Sequence, residues 1–426
     1  MVIYKISPQK MELIVSMNAQ EKLEVLTSLG NDLNHVKDID ILMERLLTEA
    51  RRIANADAGA IYIRDKDHLE FSYCQNETLQ AKLKPGAKLV YSTFAMPIRK
   101  TSIAGYAAAT GKSVNIEDVY ELGDEVPYGF DASYDQKTGY RTKSMLTIPL
   151  LTPRKDIVGV MQIINARDEG GEVHPFAEDD EKVLMHFAGL SAVALERAQM
   201  TRAMILRMIR MAELRDPKET GSHVIRVGAI AAELWSNWAM KNNVPSRELE
   251  RKRDVIRMAS MLHDAGKVGI PDSVLKKPGR FTPEEYHIMK EHCVLGARLF
   301  MERNSEFDEA AAEIALNHHE RWDGNGYPGH VDVETGKPLP GYHKDDGSAI
   351  GKRGREIPLF GRICSVADVY DALLSKRVYK EAWTEEDTFG VLKGNSGTQF
   401  DPEIIEVFFD AVEAMRSIRE QYPDEH

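Results

Sequence analysis

The stretch His318-His319-Glu320-Arg321-Trp322-Asp323-Gly324-Asn325-Gly326-Tyr327-Pro328 constrains this chain most, because two adjacent imidazoles run into a loop that bends at two glycines and stiffens at a proline. Neighbouring side chains on a helix diverge by about 100°. Adjacent histidines therefore do not bury comfortably in one apolar core, whereas they can serve two metals. Upstream, His263-Asp264-Ala265-Gly266-Lys267 puts a neutral nitrogen ligand, an anionic oxygen ligand and an ammonium within little more than one helical turn. A core has no use for that combination.

Other groups with nitrogen and oxygen donors extend the set. Glu219 and His223 are spaced i, i+4, which places both on one helix face. His292 follows, and then Asp368 within Ser365-Val366-Ala367-Asp368-Val369-Tyr370-Asp371-Ala372-Leu373. Singly, each has a structural explanation: a helix-surface pair, a capped or solvated histidine, an aspartate bonded to a neighbour. Together they describe a metal site. Imidazole and carboxylate ligation without cysteine suits iron or manganese better than structural zinc. Cys293 adjoins His292, but no second cysteine pairs with it as a ligand.

The order His, His-Asp, His, His-His, Gly-Tyr-Pro, Asp resembles the HD-GYP family of bacterial cyclic-di-GMP phosphodiesterases, over roughly residues 200 to 420. The resemblance implies an all-α HD fold holding two or three metal ions, iron first and manganese as the alternative. It also implies hydrolysis of cyclic di-GMP to the linear dinucleotide and then to GMP. Carried over by motif, the metal ligands are Glu219, His223, His263, Asp264, His292, His318, His319 and Asp368. Asp264 and Lys267 take the catalytic positions. Gly326, Tyr327 and Pro328, with Arg377, Tyr379 and Lys380 of the basic segment after the last ligand, would hold substrate. Glu219 marks members with three metals, so a trinuclear centre is expected, with His223 completing the third ion.

A phosphodiester repels hydroxide, so its hydrolysis needs phosphoryl charge neutralised and a nucleophile generated near neutral pH, which paired metals supply. Arg377 suits forked phosphate contact and Lys380 acts as a point charge. A net charge of −12 argues against DNA as a partner. Three cysteines make no disulfide framework, and neither a signal peptide nor a bilayer-spanning run stands out, so a cytoplasmic protein without a membrane anchor is expected.

The first half follows different rules. Residues 58–64 and 69–73 read as strands joined by a charged turn, and residues 144–150 and 157–165, alternating and β-branched, predict two more. With helical patterns around them and Gly105-Tyr106-Ala107-Ala108-Ala109-Thr110-Gly111-Lys112 between, they resemble a GAF domain, an α+β sensor that often binds small molecules. Some GAF domains that bind cyclic nucleotides carry Asn-Lys followed by Phe-x-x-x-Asp-Glu. Here Asn165 is followed by Ala166, with Arg167 as the available substitute, while Phe176 leads into Asp180-Glu181. The acidic run 178–181 reads as charge complementing a helix N-terminus.

The expected organisation is multidomain: an N-terminal segment 1–24, a GAF sensor 25–195, a signalling helix 182–215 and an HD-GYP domain 200–426 with an insertion at 329–355. The helix has the apolar spacing of one that pairs with its twin, which predicts a homodimer. The insertion leaves directly from the Gly-Tyr-Pro loop, so it reads as a lid or as a surface excursion. None of these motifs reads a base. Another cyclic dinucleotide such as 3′3′-cGAMP, or a non-catalytic dinucleotide receptor, are the alternatives.

Overall fold

The computed structural model describes residues 30, 33, 36–84, 89, 94–213, 221–302, 305–375 and 383–423. The chain divides into two compact units, Met1–Arg202 and Ala203–His426.

The first unit opens with α1 (Ile39–Ile53), whose Ile39, Leu42, Met43, Leu46, Leu47 and Ala50 recur at helical spacing and are buried. Asp38 caps it, its Oδ1 accepting from the amides of Asp40 at 3.0 Å and Ile41 at 3.1 Å. The strands are β1 (Ala56–Asp65), β2 (His68–Asn76), β3 (Ala95–Pro97), β4 (Val114–Ile116), β5 (Met145–Leu151), β6 (Ile157–Arg167) and β7 (Val173–His174). They pair antiparallel in the order β3-β2-β1-β6-β5-β4, with β7 also on β6. Side chains alternate faces along a strand. One face of the sheet, with Ile61, Leu146, Ile148, Met161 and Ile163, packs on α1 and on Leu184, Phe187 and Leu195 of α3 (Glu178–Glu213). The other packs Val160 and Leu69 on Ala104, Ala107 and Ala108 of α2 (Ile103–Thr110).

Arg167 does not take the place of the missing lysine. Its guanidinium pairs with buried Asp57 at 2.7 Å, in a network that Tyr140, Thr78 and Asn165 complete. Glu178, Asp179, Asp180 and Glu181 form the first turn of α3, where carboxylates complement the helix dipole. The signalling helix thus begins four residues before its expected start; its expected last residues, 214 and 215, lie outside the described ones.

The second unit is helical. Its elements are α4 (Gly221–Lys241), α5 (Ser246–Ser260), a 3₁₀ turn (Ala265–Gly269), α6 (Pro283–Lys290), α7 (His292–Arg298) and α8 (Glu306–Asn317). After a long loop come α9 (Leu359–Leu374), α10 (Glu385–Gly394), α11 (Pro402–Asp410) and α12 (Val412–Gln421). Ile230, Leu234, Ile256, Ile314, Ile363, Val366, Tyr370 and Phe408 build its core, which packs α4, α5, α8, α9 and α11 together.

Residues 329–355 are bonded to themselves. His330 donates its amide to Ile350 and Leu339 returns one to His330, at 2.9 and 2.8 Å. Val331 bridges Pro338, His343 bridges Ala349, and the rings of His330 and Tyr342 stack 4.0 Å apart. Arg298 of α7 holds the Val333 carbonyl at 2.6 Å. No helix among the described residues is long and apolar enough to cross a membrane.

Candidate metal centre

Four elements aim their ends at one place. His223 lies in the first turn of α4, His263-Asp264 just past α5, His292 at the start of α7, and His318-His319 where α8 stops; Asp368 faces them from α9. Two ligand groups result: Asp264, His292, His318 and His319 in one, and His223, His263 and Asp368 in the other, with ligand atoms within 4.8 Å of one another in each.

The imidazoles are oriented by what holds their Nδ1 atoms. His263 Nδ1 lies 2.8 Å from the Ser260 carbonyl, His292 Nδ1 2.7 Å from Met289 O, and His318 Nδ1 3.1 Å from Ile314 O and Ala315 O. A carbonyl only accepts, so each Nδ1 carries the proton and each Nε2 presents a lone pair to the centre. The Nε2 atoms of His292 and His318 face each other at 3.4 Å. Asp264 Oδ1 lies 3.2 Å from the first and 3.7 Å from the second, is buried, and finds no hydrogen-bond partner among the described residues. Three electron-rich atoms aimed at one another repel unless a cation sits between them. The donor set therefore fits a divalent metal.

Asp264 joins the two groups. Its Oδ2 is 3.3 Å from His263 Nε2 and 2.6 Å from the Lys267 ammonium. In the second group Asp368 Oδ1 is 3.4 Å from His223 Nε2 and 3.9 Å from His263 Nε2.

Burial pushes the His292 imidazole down to about 4, and burial together with His318 and His292 holds His319 well below its ordinary value. Both are neutral at pH 7 and ready to ligate. For Asp264, burial works upward but Lys267 and His263 outweigh it and hold the carboxyl well below the carboxylate range. Asp368 is likewise raised by burial and carried far lower by His223 and His263. His223 is pushed down by burial, yet Asp368 and Asp371 lift it above its ordinary value.

The adjacent histidines do not fall one in each of the two groups. Both belong to one group, their ring centroids 4.1 Å apart. Helix α8 ends at Asn317, so the divergence expected of helical neighbours does not apply past His318. The pair that divides is His263-Asp264. His223 falls with His263 and Asp368 in the second group.

Close backbone contact sets the spacing. A Cβ on Gly266 would fall within the carbonyl of His292 and the amide of Gly296, so only glycine lets the turn after Asp264 lie against α7. At Gly326 a Cβ would meet the Arg321 amide and the Glu320 Cα, which keeps the Gly-Tyr-Pro loop tight against the His-His segment. Tyr327 precedes a cis proline and stacks on His319 with centroids 4.8 Å apart, while the Lys290 ammonium lies 5.3 Å from the Tyr327 ring.

Of the expected site residues, Glu219, Arg377, Tyr379 and Lys380 lie outside the described residues. Three residues not among the expected site residues are structural neighbours of the site. Glu320, buried, accepts the Gly329 amide at 2.5 Å and the Lys352 amide at 3.2 Å, tying both roots of the insertion to the residue after His319. Lys352 in turn reaches Asn317 Oδ1 at 2.5 Å. Asp371 lies one helical turn beyond Asp368 and holds His223 Nδ1 at 2.8 Å. Its spacing was visible; the long-range partners of Glu320 were not.

Comparison with known proteins agrees with this division. An HD domain model matches residues 220–373, and a GAF domain model matches 38–195. The chain is similar to a probable cyclic di-GMP phosphodiesterase of Vibrio cholerae serotype O1, 35% identical over 54% of this chain and 48% of that protein. A cyclic di-GMP phosphodiesterase of Thermotoga maritima is 36% identical over 52% of each. A 3′3′-cGAMP-specific phosphodiesterase 2 of Vibrio cholerae serotype O1 is 32% identical over 58% of this chain and 43% of that protein. The chain spans about half the length of the curated relatives it matches.

Proposed function

From the premise that this chain joins a GAF domain to an HD domain of the kind found in cyclic-dinucleotide phosphodiesterases, we propose that it hydrolyses cyclic di-GMP to pGpG and then GMP under control of the GAF unit. The observation that carries this reading is the pair of ligand groups joined through Asp264. Bound there, divalent metals would neutralise phosphoryl charge and supply a nucleophile at neutral pH. His263, Asp264, His292, His318, His319, His223 and Asp368 are the proposed ligands. Iron is favoured over manganese, and a third ion with Glu219 completes the trinuclear form.

The remaining residues position substrate and move a proton. Lys267 Nζ, beside Asp264 Oδ2, is placed to donate to the departing oxygen. Gly326, Tyr327 and Pro328 form the wall next to His319, and Arg377, Tyr379 and Lys380 are the proposed phosphate contacts. The similarity to a 3′3′-cGAMP-specific enzyme supports that dinucleotide as the second substrate reading.

The chain acts as a homodimer in this proposal. Along α3, Met185, Val193, Met200, Met204, Met208 and Met211 are exposed on a face turned away from Leu184, Phe187, Leu195 and Ile205, a stripe suited to a second copy. Free cysteines go with a cytoplasmic location. The test is anaerobic purification, metal analysis and product identification with cyclic di-GMP and 3′3′-cGAMP. Metal-loaded protein that cleaves neither would defeat the reading.

A further inference from the structure

His223 differs from the other imidazoles of the centre in how it is held. Where His263, His292 and His318 lean on nearby carbonyls, His223 Nδ1 meets a carboxylate, Asp371 Oδ2, at 2.8 Å. Its other nitrogen faces Asp368 Oδ1 at 3.4 Å. Asp368 and Asp371 are spaced i, i+3 on α9, so one helix face offers one carboxylate to each nitrogen of the same ring. One of them must take the proton and the other share the metal.

The two carboxylates are not equivalent. Asp371 is fully buried, and five donors fix its oxygens: Arg226 Nε at 2.6 Å and Arg419 Nη1 at 2.5 Å on Oδ1, then His223 Nδ1, Arg226 Nη2 at 3.0 Å and Ser375 Oγ at 3.2 Å on Oδ2. A carboxylate in that cage has no freedom to swing toward a metal. Asp368 belongs to the ligand group instead. The cage reaches across the fold, for Arg226 Nη1 also donates to Tyr422 O at 2.9 Å, just past α12, and Arg419 Nη2 to Leu374 O at 3.1 Å.

We infer that Asp371 is the positioning residue that fixes the tautomer of His223 and makes it a metal ligand, and that the C-terminal helix α12, through Arg419, sets Asp371. This rests on the metal-dependent reading above. Asp371 touches neither metal nor substrate. It holds the proton on Nδ1, so that the Nε2 lone pair points beside Asp368, as outer carboxylates do for metal-bound histidine. Ser375, which also accepts from Arg226 Nη2 at 2.9 Å, closes the cage.

The test uses the full chain with Asp371→Asn and, since that buried change removes a charge facing two guanidiniums, also Arg419→Gln. Apoprotein is titrated with cobalt, reading the visible absorption of the bound ion and the metal count per chain, with thermal unfolding of the apoprotein as a control. Asp371→Asn should lose about one metal per chain, while Arg419→Gln should keep the count and bind the weaker ion about 10-fold less tightly. A folded Asp371→Asn with wild-type count and affinity overturns the inference. If that variant does not fold, unchanged cobalt affinity in Arg419→Gln overturns it. Wild-type protein that binds cobalt but cleaves no cyclic dinucleotide would defeat the proposed activity while leaving this assignment standing.

Discussion

Changing Glu320 to Gln should loosen the Gly-Tyr-Pro loop and the insertion together while leaving the ligands in place. The carboxylate receives two main-chain donors, Gly329 N–H on Oε1 at 2.5 Å and Lys352 N–H on Oε2 at 3.2 Å, and it is 2% exposed. Glutamine keeps one acceptor and turns an NH₂ toward the other donor. A hydrogen bond to a charged acceptor contributes about 1.5–3 kcal/mol, and a donor left buried without a partner costs about 1–3 kcal/mol. Partial relaxation overlaps these terms, so about 2–4 kcal/mol of local stability is lost. Converted at about 1.4 kcal/mol per decade, the amides of Gly329 and Lys352 should exchange with solvent about 30- to 1000-fold faster. Hydrogen exchange read on peptides spanning these residues, with metal content measured in parallel, checks it. Unchanged exchange at both amides would refute the claim that Glu320 anchors the insertion.

Three further outcomes are expected. Glu219→Ala should lose about one metal per chain and slow the second cleavage more than the first; wild-type metal content counts against a role for Glu219. Pro in place of Ala203, inside α3, disrupts an interior helix at a cost of about 3 kcal/mol and should change turnover without changing metal content, whereas wild-type turnover argues against a rigid coupling helix. In metal-stripped protein, the folded chain resists protonation of His292 until about 4 whereas the unfolded chain takes the proton near 6.5, so stability should fall as pH drops through that window; a flat urea midpoint between pH 6.5 and 4 would contradict it.

Much of the architecture was readable because burial on one face forces periodicity. The strand patterns in residues 58–64 and 157–165 anticipated β1 and β6, and the acidic run 178–181 anticipated the start of α3. The clustered histidines and aspartates were legible as residue types because no apolar core accommodates them. How they group was not. Successive side chains diverge by about 100° only within a continuous helix, but α8 stops one residue before His318, and so the rings converge. Arg167 looked free to stand in for a lysine, yet Asp57, 110 positions away in sequence, claims it. Glu320 and Asp371 act through partners that only folding brings near, and no local spacing announces them. The insertion, read as a lid or an excursion, is pinned at both roots.

Main chain against main chain at Gly266 and His292 leaves no flexible side chain between the turn bearing Asp264 and the helix bearing its partner ligand. The two backbones there cannot part by a rotamer change; separating them moves main chain. Glycine at 266 is thus what lets the turn bearing Asp264 and the helix bearing His292 meet backbone to backbone.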